Sequence, residues 1–446
     1  MNTEVGYFPV GPNLIIYYTI VTLIGSLFFI YLRKDKFSIL LFLMFFNGVS
    51  SYWGEFIDTL FKFLILAFTI LIYLDTKNTS YINLTSSIIF VLFSMTFWFS
   101  IYSNQNPFLF AFSQYTKFLI PFLIFTSLIN HLFDKQMLSY YLRLVVNLIL
   151  LQVLFSITKF FTIGFSESVV GSIAFLGGSS ASILPILGYL IIYFLNDGKI
   201  KKSEIIQIAS MLVISIMSFK RIIWFLMPAV ILILNSRFFF SRYLKYAIIV
   251  IPIILYVGIR LNPTLNKEKK IWGSFDLAYA IDYAQDYYGM EDNKHGIDKS
   301  VGRFGGNIVM IKYILANIDN YKTWFGYGPK VIYGMVYEDY AKTKWPWGIS
   351  DKGSLTGAAR FFISYGLLGI IFYLSLIIYF FNYCTSKNFT IIMVIFFLFE
   401  FFFYLDSLFY FPLITSFLLI SSFLTESDHS NYKSTISKYK LNVFTY

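Results

Sequence analysis

The 446-residue sequence has few charged residues, a single cysteine and only three histidines. Charged side chains make up 13% of the chain and hydrophobic ones 57%, which excludes an ordinary soluble globular protein. With Cys384 alone, no disulfide can form within the chain. His131, His295 and His429 lie far apart in the sequence, so a zinc cluster is not expected.

Charge-poor apolar runs recur along the whole chain. A helix needs about 20 such residues to cross the hydrocarbon core of a bilayer, so these runs predict an all-α polytopic membrane protein with about 12–14 transmembrane helices. The first run is too long for a cleavable signal peptide and lacks a basic segment before it, so we expect it to remain as a span. The expected spans lie near residues 13–32, 37–52, 56–74, 82–103, 107–130, 138–161, 169–195, 204–219, 221–235, 244–259, 357–383, 389–405 and 407–424.

Basic residues cluster on one side of these spans, which the positive-inside rule assigns to the cytoplasm. The opposite short loops hold few basic residues, chiefly Lys159, Lys220 and Arg221. The formal net charge of +11 therefore reflects topology and anionic lipid headgroups, and no nucleic-acid partner is expected. We predict four parts: an N-terminal transmembrane bundle (1–259), a large outward-facing loop (260–356), C-terminal transmembrane helices (357–424) and a cytoplasmic tail (425–446).

Lys220 and Arg221 lie between two apolar stretches, at the outer end of both predicted spans. A charge within a membrane span is costly unless it is paired or faces a polar cavity, so such a basic pair indicates a functional site. Snorkelling of both side chains to the headgroups is the structural alternative. The functional interpretation is an anion-binding pair, because a guanidinium matches phosphate oxygens and an ammonium adds a point charge.

Three further motifs lie in or beside the large loop. Arg303, within a glycine-containing segment, precedes an amphipathic stretch at 307–318 that we expect to form a helix on the membrane surface. An aromatic glycine turn follows at 324–328. Finally, the segment 354–360, which ends in Arg360, leads into a predicted span that contains a G-x-x-G pattern at 366–369.

The order of these motifs resembles the O-antigen polymerase and ligase superfamily of bacterial envelope glycosyltransferases. Members have about a dozen spans and a late periplasmic loop, with a mid-chain basic residue that corresponds here to the Lys220 and Arg221 pair. They also have an Arg that opens an amphipathic helix, similar to Arg303, and a glycine turn similar to 324–328. The G-x-x-G at 366–369 completes the pattern. The resemblance covers roughly residues 170–425.

The resemblance implies transfer of a growing glycan from undecaprenyl pyrophosphate to a sugar hydroxyl of the next lipid-linked repeat unit. This reaction would occur at the outer face of the bacterial cytoplasmic membrane, with the large loop periplasmic or extracellular. The substrates and membrane lipid are then the partners, and whether a chain-length regulator also binds is left open. The sequence contains no Asp-x-Asp metal box, and we expect a metal-independent site without cofactors.

The resemblance and the chemistry together suggest roles for particular residues. Preorganised cations stabilise the charge that builds on a departing pyrophosphate. The expected cations are Lys220, Arg221, Arg303 and Arg360. A carboxylate could accept the proton of the attacking hydroxyl. The alternatives for this base are Glu338, Asp339 and Asp351, each of which could equally be a solvated loop charge.

Aromatic residues of the loop could stack on sugar rings, although anchoring at the membrane interface also explains their presence. The expected glycan-binding residues are Tyr327, Tyr337, Tyr340, Trp345 and Trp347.

Two alternative functions follow from the same sequence. A lipid-linked oligosaccharide flippase or other transporter would also have many spans, but it would be expected to show two related halves, and no internal repeat is found. An O-antigen ligase carries a histidine near the end of the large loop, where this chain has Leu355. The polymerase interpretation is therefore preferred.

Overall fold

A computed structural model of the chain describes residues 12–32, 35–75, 84–129, 133–164, 169–173, 179–218, 223–234, 244–262, 265–270, 272–288, 303–333, 355–403 and 411–426. Within these segments the regular structure is helical and contains no strand. The helices are α1 (Pro12–Leu32), α2 (Lys36–Phe45), α3 (Asn47–Tyr52), α4 (Glu55–Asp75), α5 (Leu84–Ser103), α6 (Phe108–Ile129), α7 (Lys135–Ile163), α8 (Ser179–Leu195), α9 (Lys202–Met217), α10 (Ile223–Leu234), α11 (Leu244–Leu261), α12 (Leu277–Tyr288), α13 (Arg303–Ala316), α14 (Tyr321–Phe325), α15 (Lys330–Tyr333), α16 (Gly357–Asn382), α17 (Lys387–Phe403) and α18 (Phe411–Glu426).

Five of the described helices, α4, α5, α6, α7 and α16, are long and apolar enough to cross a membrane. Several shorter helices, among them α1, α8 and α18, are also apolar. This content indicates an all-α protein embedded in a membrane.

Helices occupy the positions of the predicted spans, with three differences, of which the third, a break in α16 at Gly366, is described below. The span predicted at 37–52 is divided into α2 and α3, because Phe46 departs from helical geometry (φ −105°, ψ 8°) where the sequence continues with Asn47 and Gly48. In the region 169–195 the helix starts only at Ser179, and residues 169–173 form a turn. Some helix starts are capped by aspartate: the Asp35 carboxylate accepts from Ser38 N at 3.0 Å, and that of Asp134 accepts from Met137 N at 2.7 Å.

The chain divides into two compact units, each assembled from segments that are distant in sequence. Unit 1 comprises Met1–Asn78, Ser127–Gly258 and Phe411–Tyr446, and unit 2 comprises Thr79–Thr126 and Ile259–Tyr410. In unit 1, α7 packs against α1, α2, α8 and α9. In unit 2, α16 has the corresponding role and packs against α5, α13, α14, α15 and α17.

Lys159, which the sequence analysis counted among the basic residues of the short outward loops, lies within α7 and is fully buried in unit 1. Its ammonium donates to the Tyr18 hydroxyl at 3.0 Å and lies 5.8 Å from the centroid of the Tyr17 ring. Tyr18 in turn stacks on Tyr52, with ring centroids 4.0 Å apart. Aromatic rings of α1 thus contribute to the surroundings of this cation through their π faces.

At the break after α2, polar side chains of the same unit lie within hydrogen-bond distance of the free backbone carbonyl. The last carbonyl of α2, Phe45 O, lies 3.2 Å from Ser172 Oγ and 3.5 Å from Gln152 Nε2. Gln152 Oε1 accepts from Ser172 N at 2.7 Å. Gln152 is fully buried on α7 and therefore connects the turn at 169–173 to the end of α2.

Replacement of Gln152 by Leu should destabilise unit 1 by about 1–3 kcal/mol, because Ser172 N and Phe45 O lose a buried partner. The matched control is Gln114→Leu: Gln114 is also buried, but its Oε1 has no hydrogen-bond partner within the described part of the chain. The midpoint of thermal unfolding in detergent, followed by tryptophan fluorescence, should fall for Gln152→Leu and change little for Gln114→Leu. Equal midpoints for the two variants would contradict the assigned role of Gln152.

Candidate functional site

Helix α16 is interrupted at Gly366, whose backbone (φ 71°, ψ −171°) is not helical. The interruption lies inside a predicted membrane span, where each backbone polar group needs a partner within the protein. Two carbonyls before the break are paired with the glycine turn: Tyr327 N donates to Ile363 O at 2.7 Å, and Gly328 N donates to Ser364 O at 3.1 Å. The turn at 324–328 and the G-x-x-G of α16 are therefore in direct backbone contact. We call residues 324–328 and 363–366 together the glycine joint.

Glycine is required on both sides of the glycine joint. Gly326 has a φ of +77° and Gly366 a φ of +71°, a backbone conformation that L side chains rarely adopt. A Cβ at Gly326 would lie 2.6 Å from Ser364 C, and one at Gly366 would lie 2.3 Å from Trp324 C. These neighbours are backbone atoms and cannot rotate away. The joint is therefore a close approach of two backbones that only glycine permits.

The end of α5 and the segment after it support the glycine joint with polar side chains. Ser100 Oγ donates to Ser364 O at 2.8 Å, and Asn104 Nδ2 donates to Gly326 O at 3.2 Å. Asn106 Oδ1 accepts from Lys330 N, at the start of α15, at 2.9 Å. The sequence analysis assigned no role to these residues. The only sequence signal for these residues was a run of polar residues at the end of an apolar span. Such a run does not indicate which distant residues its side chains contact.

Tyr327, one of the predicted glycan-binding residues, lies in the glycine joint and is partly exposed. Its hydroxyl is 2.7 Å from that of Tyr313 on α13. The Lys322 ammonium lies 4.9 Å from the centroid of the Tyr327 ring, within the range of a cation–π interaction. Tyr327 is thus oriented by α13 and α14 together, with one cation beside its ring.

The beginnings of α13 and α16 are also connected. Thr356, the residue before α16, donates through Oγ1 to Asn307 Oδ1 of α13 at 2.5 Å and accepts from Ala359 N at 3.2 Å. Asn307 Nδ2 also donates to Phe402 O of α17. Arg303 begins α13 one turn before Asn307, and Arg360 lies in the first turn of α16. Two predicted pyrophosphate-binding positions therefore occur at helix beginnings that are joined by a buried hydrogen bond.

Helix α13 begins four residues before the predicted amphipathic stretch and ends at Ala316. The apolar stripe that predicted this helix is not its packed face. Ile311 and Leu315 are 51% and 71% exposed, whereas Asn307 and Met310 are buried. The packed face therefore includes Asn307, which connects to α16 and α17, and the apolar stripe is available to an apolar medium such as a lipid surface.

The positive end of a helix dipole lies at the beginning of the helix and favours negative charge. At the start of α16, however, Ala359 N is already paired with Thr356 and the first residues are buried, so Arg360 is the group there that an anion could reach. Arg360 is partly buried, and its main-chain carbonyl accepts from Ser364 Oγ at 2.9 Å, so it lies between the start of α16 and the glycine joint. The described residues contain no group of three or more side chains able to hold a metal ion.

Several predicted site residues lie outside the described part of the chain, so their positions remain predictions. For Arg303 the backbone is described and the side chain is not. Tyr327 and Arg360 are described and belong to unit 2 together with the backbone of Arg303. The predicted residues outside the description are Lys220, Arg221, Glu338, Asp339, Asp351, Tyr337, Tyr340, Trp345 and Trp347.

Comparison with known proteins identifies no relative: the chain matches no protein-family model, no curated protein and no solved structure.

Alanine at Gly326 or Gly366 should destabilise the protein by clearly more than the roughly 1–3 kcal/mol expected for this backbone conformation alone, because the new Cβ also meets backbone. Gly164 provides a matched control, with a similar φ of +73° and no atom within 4 Å of the position that a Cβ would take. Thermal unfolding of purified Gly326→Ala, Gly366→Ala and Gly164→Ala proteins measures the difference. If all three lose the same stability, close approach at the glycine joint has no energetic role.

Proposed function

We propose that the protein is a membrane glycosyltransferase that polymerises lipid-linked repeat units of an envelope polysaccharide. One observation carries the proposal: three motifs that resemble those of the O-antigen polymerase and ligase superfamily are joined within unit 2. The glycine turn pairs with the G-x-x-G segment through two backbone hydrogen bonds. The helix that begins at Arg303 is connected to the start of α16 through Asn307 and Thr356, and to the turn through Tyr313 and Tyr327.

The proposed reaction breaks the bond between the anomeric carbon of the growing glycan and an oxygen of undecaprenyl pyrophosphate. A sugar hydroxyl of the next repeat unit attacks the anomeric carbon, and the bonding electron pair leaves with the pyrophosphate. The hydroxyl proton passes to a base, for which Glu338, Asp339 and Asp351 are the proposed groups. Because negative charge grows on the leaving group, fixed cations near it lower the barrier.

The proposed pyrophosphate-binding groups of unit 2 are Arg303 and Arg360. From the sequence we also propose Lys220 and Arg221 for this role. The N–H groups at the beginning of α13 would add donors that need no side chain. Tyr327, supported by Tyr313 and Lys322, offers a partly exposed ring to a sugar face. Tyr337, Tyr340, Trp345 and Trp347 are proposed to extend that surface.

We place the protein in the bacterial cytoplasmic membrane, with about 12–14 spans and the 260–356 loop facing outward. Substrate delivery from the membrane plane follows from the lipid carrier, whose polyprenyl chain stays in the bilayer while its pyrophosphate lies at the surface. The product is an O-antigen, capsule or exopolysaccharide chain, and a chain-length regulator is a proposed additional partner.

Arg303→Ala and Arg221→Ala should each lower polymerisation about 10²–10³-fold, the usual loss when one group that stabilises a developing anion is removed. The assay is a glycan gel of cells that lack the protein, complemented with wild type or with each variant at equal membrane abundance. Wild type should restore a ladder of long chains, and both variants should leave single repeat units.

Lys312→Ala provides the matched control, because Lys312 is an exposed cation on the same helix as Arg303. It should restore the full ladder. A ladder of normal length from Arg303→Ala would remove Arg303 from the site. Lipid-linked single repeats that accumulate on the cytoplasmic face of deletion cells would indicate a flippase and reject the proposal. Lipid-linked polymer that accumulates at the outer face would indicate a ligase.

A further inference from the structure

The C-terminal half of helix α11 has exposed side chains. Ile253 and Tyr256 are 53% and 39% exposed, and Arg260 follows on the same face at helical spacing. The Arg260 guanidinium lies 4.5 Å from the centroid of the Trp272 ring, and its Nε donates to Gly273 O at 2.8 Å. Trp272, in the segment after the helix, is therefore held against the last turn of α11.

That segment is a closed loop attached to the end of α11. Asn266 is fully buried, and its side-chain amide donates to Asn262 O at 2.9 Å and to Lys270 O at 2.8 Å. Gly273 N donates to Arg260 O at 3.1 Å, and a Cβ at Gly273 would lie 2.2 Å from Asn266 Oδ1. The loop is thus held around one asparagine and stays at the end of the apolar helix.

Helix α12 continues from this loop and packs back onto it. Ala280 and Tyr283 are buried together with Ile259 of α11 and Leu265 of the loop. The Asp276 carboxylate accepts from Tyr279 N at 2.9 Å and pairs with Lys267 at 2.5 Å. The hydrogen bond from Lys267 lowers the pKa of Asp276, so this cap is charged at neutral pH. The buried cluster and this cap together hold α12 against the end of α11.

The loop and the first half of α12 also carry four large apolar side chains that are each 44–50% exposed. We call them the apolar rim: Trp272, Phe275, Leu277 and Ile281.

We propose that the apolar rim is embedded in the bilayer interface at the end of α11, so that the segments 265–270 and 272–288 form a membrane-bound platform. The occupant is lipid because the rim directly follows an apolar helix that we expect to cross the membrane, where that helix ends. Its chemistry also fits: Trp, with a neighbouring Arg and exposed lysines at 267, 269 and 270, is typical of the headgroup region. This proposal does not depend on the proposed enzymatic function.

The test measures immersion depth in a bilayer that contains no other protein. In a Cys384→Ser background, which removes the native thiol, nitroxide labels are attached at Leu277→Cys and at Ile281→Cys. Asp282→Cys is the matched control, because it is exposed on the same helix about 100° from Ile281. The labelled proteins are reconstituted in lipid vesicles, and collisions with oxygen and with a water-soluble nickel chelate are compared by electron paramagnetic resonance.

The ratio of oxygen to nickel accessibility should be severalfold higher at 277 and 281 than at 282. The same high nickel accessibility at all three positions would show that the rim faces water and would overturn the proposal. Low accessibility of 277 and 281 to both reagents would mean burial in a protein contact, such as a second copy of the chain, and would overturn it equally. All three positions are exposed, so labelled proteins that elute as wild type are valid reporters.

Discussion

A helix that breaks inside a bilayer must find partners for the backbone groups that the break releases, because hydrocarbon offers none. In unit 2 this constraint applies to α16 at Gly366, where the carbonyls of Ile363 and Ser364 accept from the main chain of the glycine turn. The turn can reach them only because Gly326 and Gly366 have no side chains. The positions of α14, α15 and Tyr327 follow from that approach, and Ser100 and Asn104 of the α5 region complete it.

The same constraint explains one group of buried polar side chains in unit 1. The break after α2 leaves Phe45 O without a helical partner, and Gln152 and Ser172 are its hydrogen-bond neighbours. At both breaks, then, side chains with an amide or a hydroxyl group pair with the released backbone groups, as they often do between membrane helices. Lys159, two turns further along α7 than Gln152, has a different role, since it donates to Tyr18 of the continuous helix α1.

The sequence predicts the helices of this protein well, because run length and apolar content report directly on them. It does not reveal the breaks: 37–52 and 357–383 each have the composition of a single span, and yet Phe46 and Gly366 interrupt them. It also identified the glycine turn and the G-x-x-G segment as separate motifs. Their pairing joins residues nearly forty positions apart through backbone atoms, and no side-chain pattern encodes that. The structural roles of Asn104 and Lys159 could not be predicted for the same reason, because each role depends on a partner that is distant in sequence.

The break in α16 also has a consequence for binding. It separates a short half-helix from the rest of the span, with Arg360 in its first turn and the glycine joint at its last. One end of this half-helix is connected to α13 through Thr356 and Asn307, and the other is connected to Tyr327 through the main chain. Because both ends of this half-helix are anchored within unit 2, Arg360 in its first turn is held in a fixed position. Under the proposed function, a cation held in this way would need little reordering around the leaving pyrophosphate.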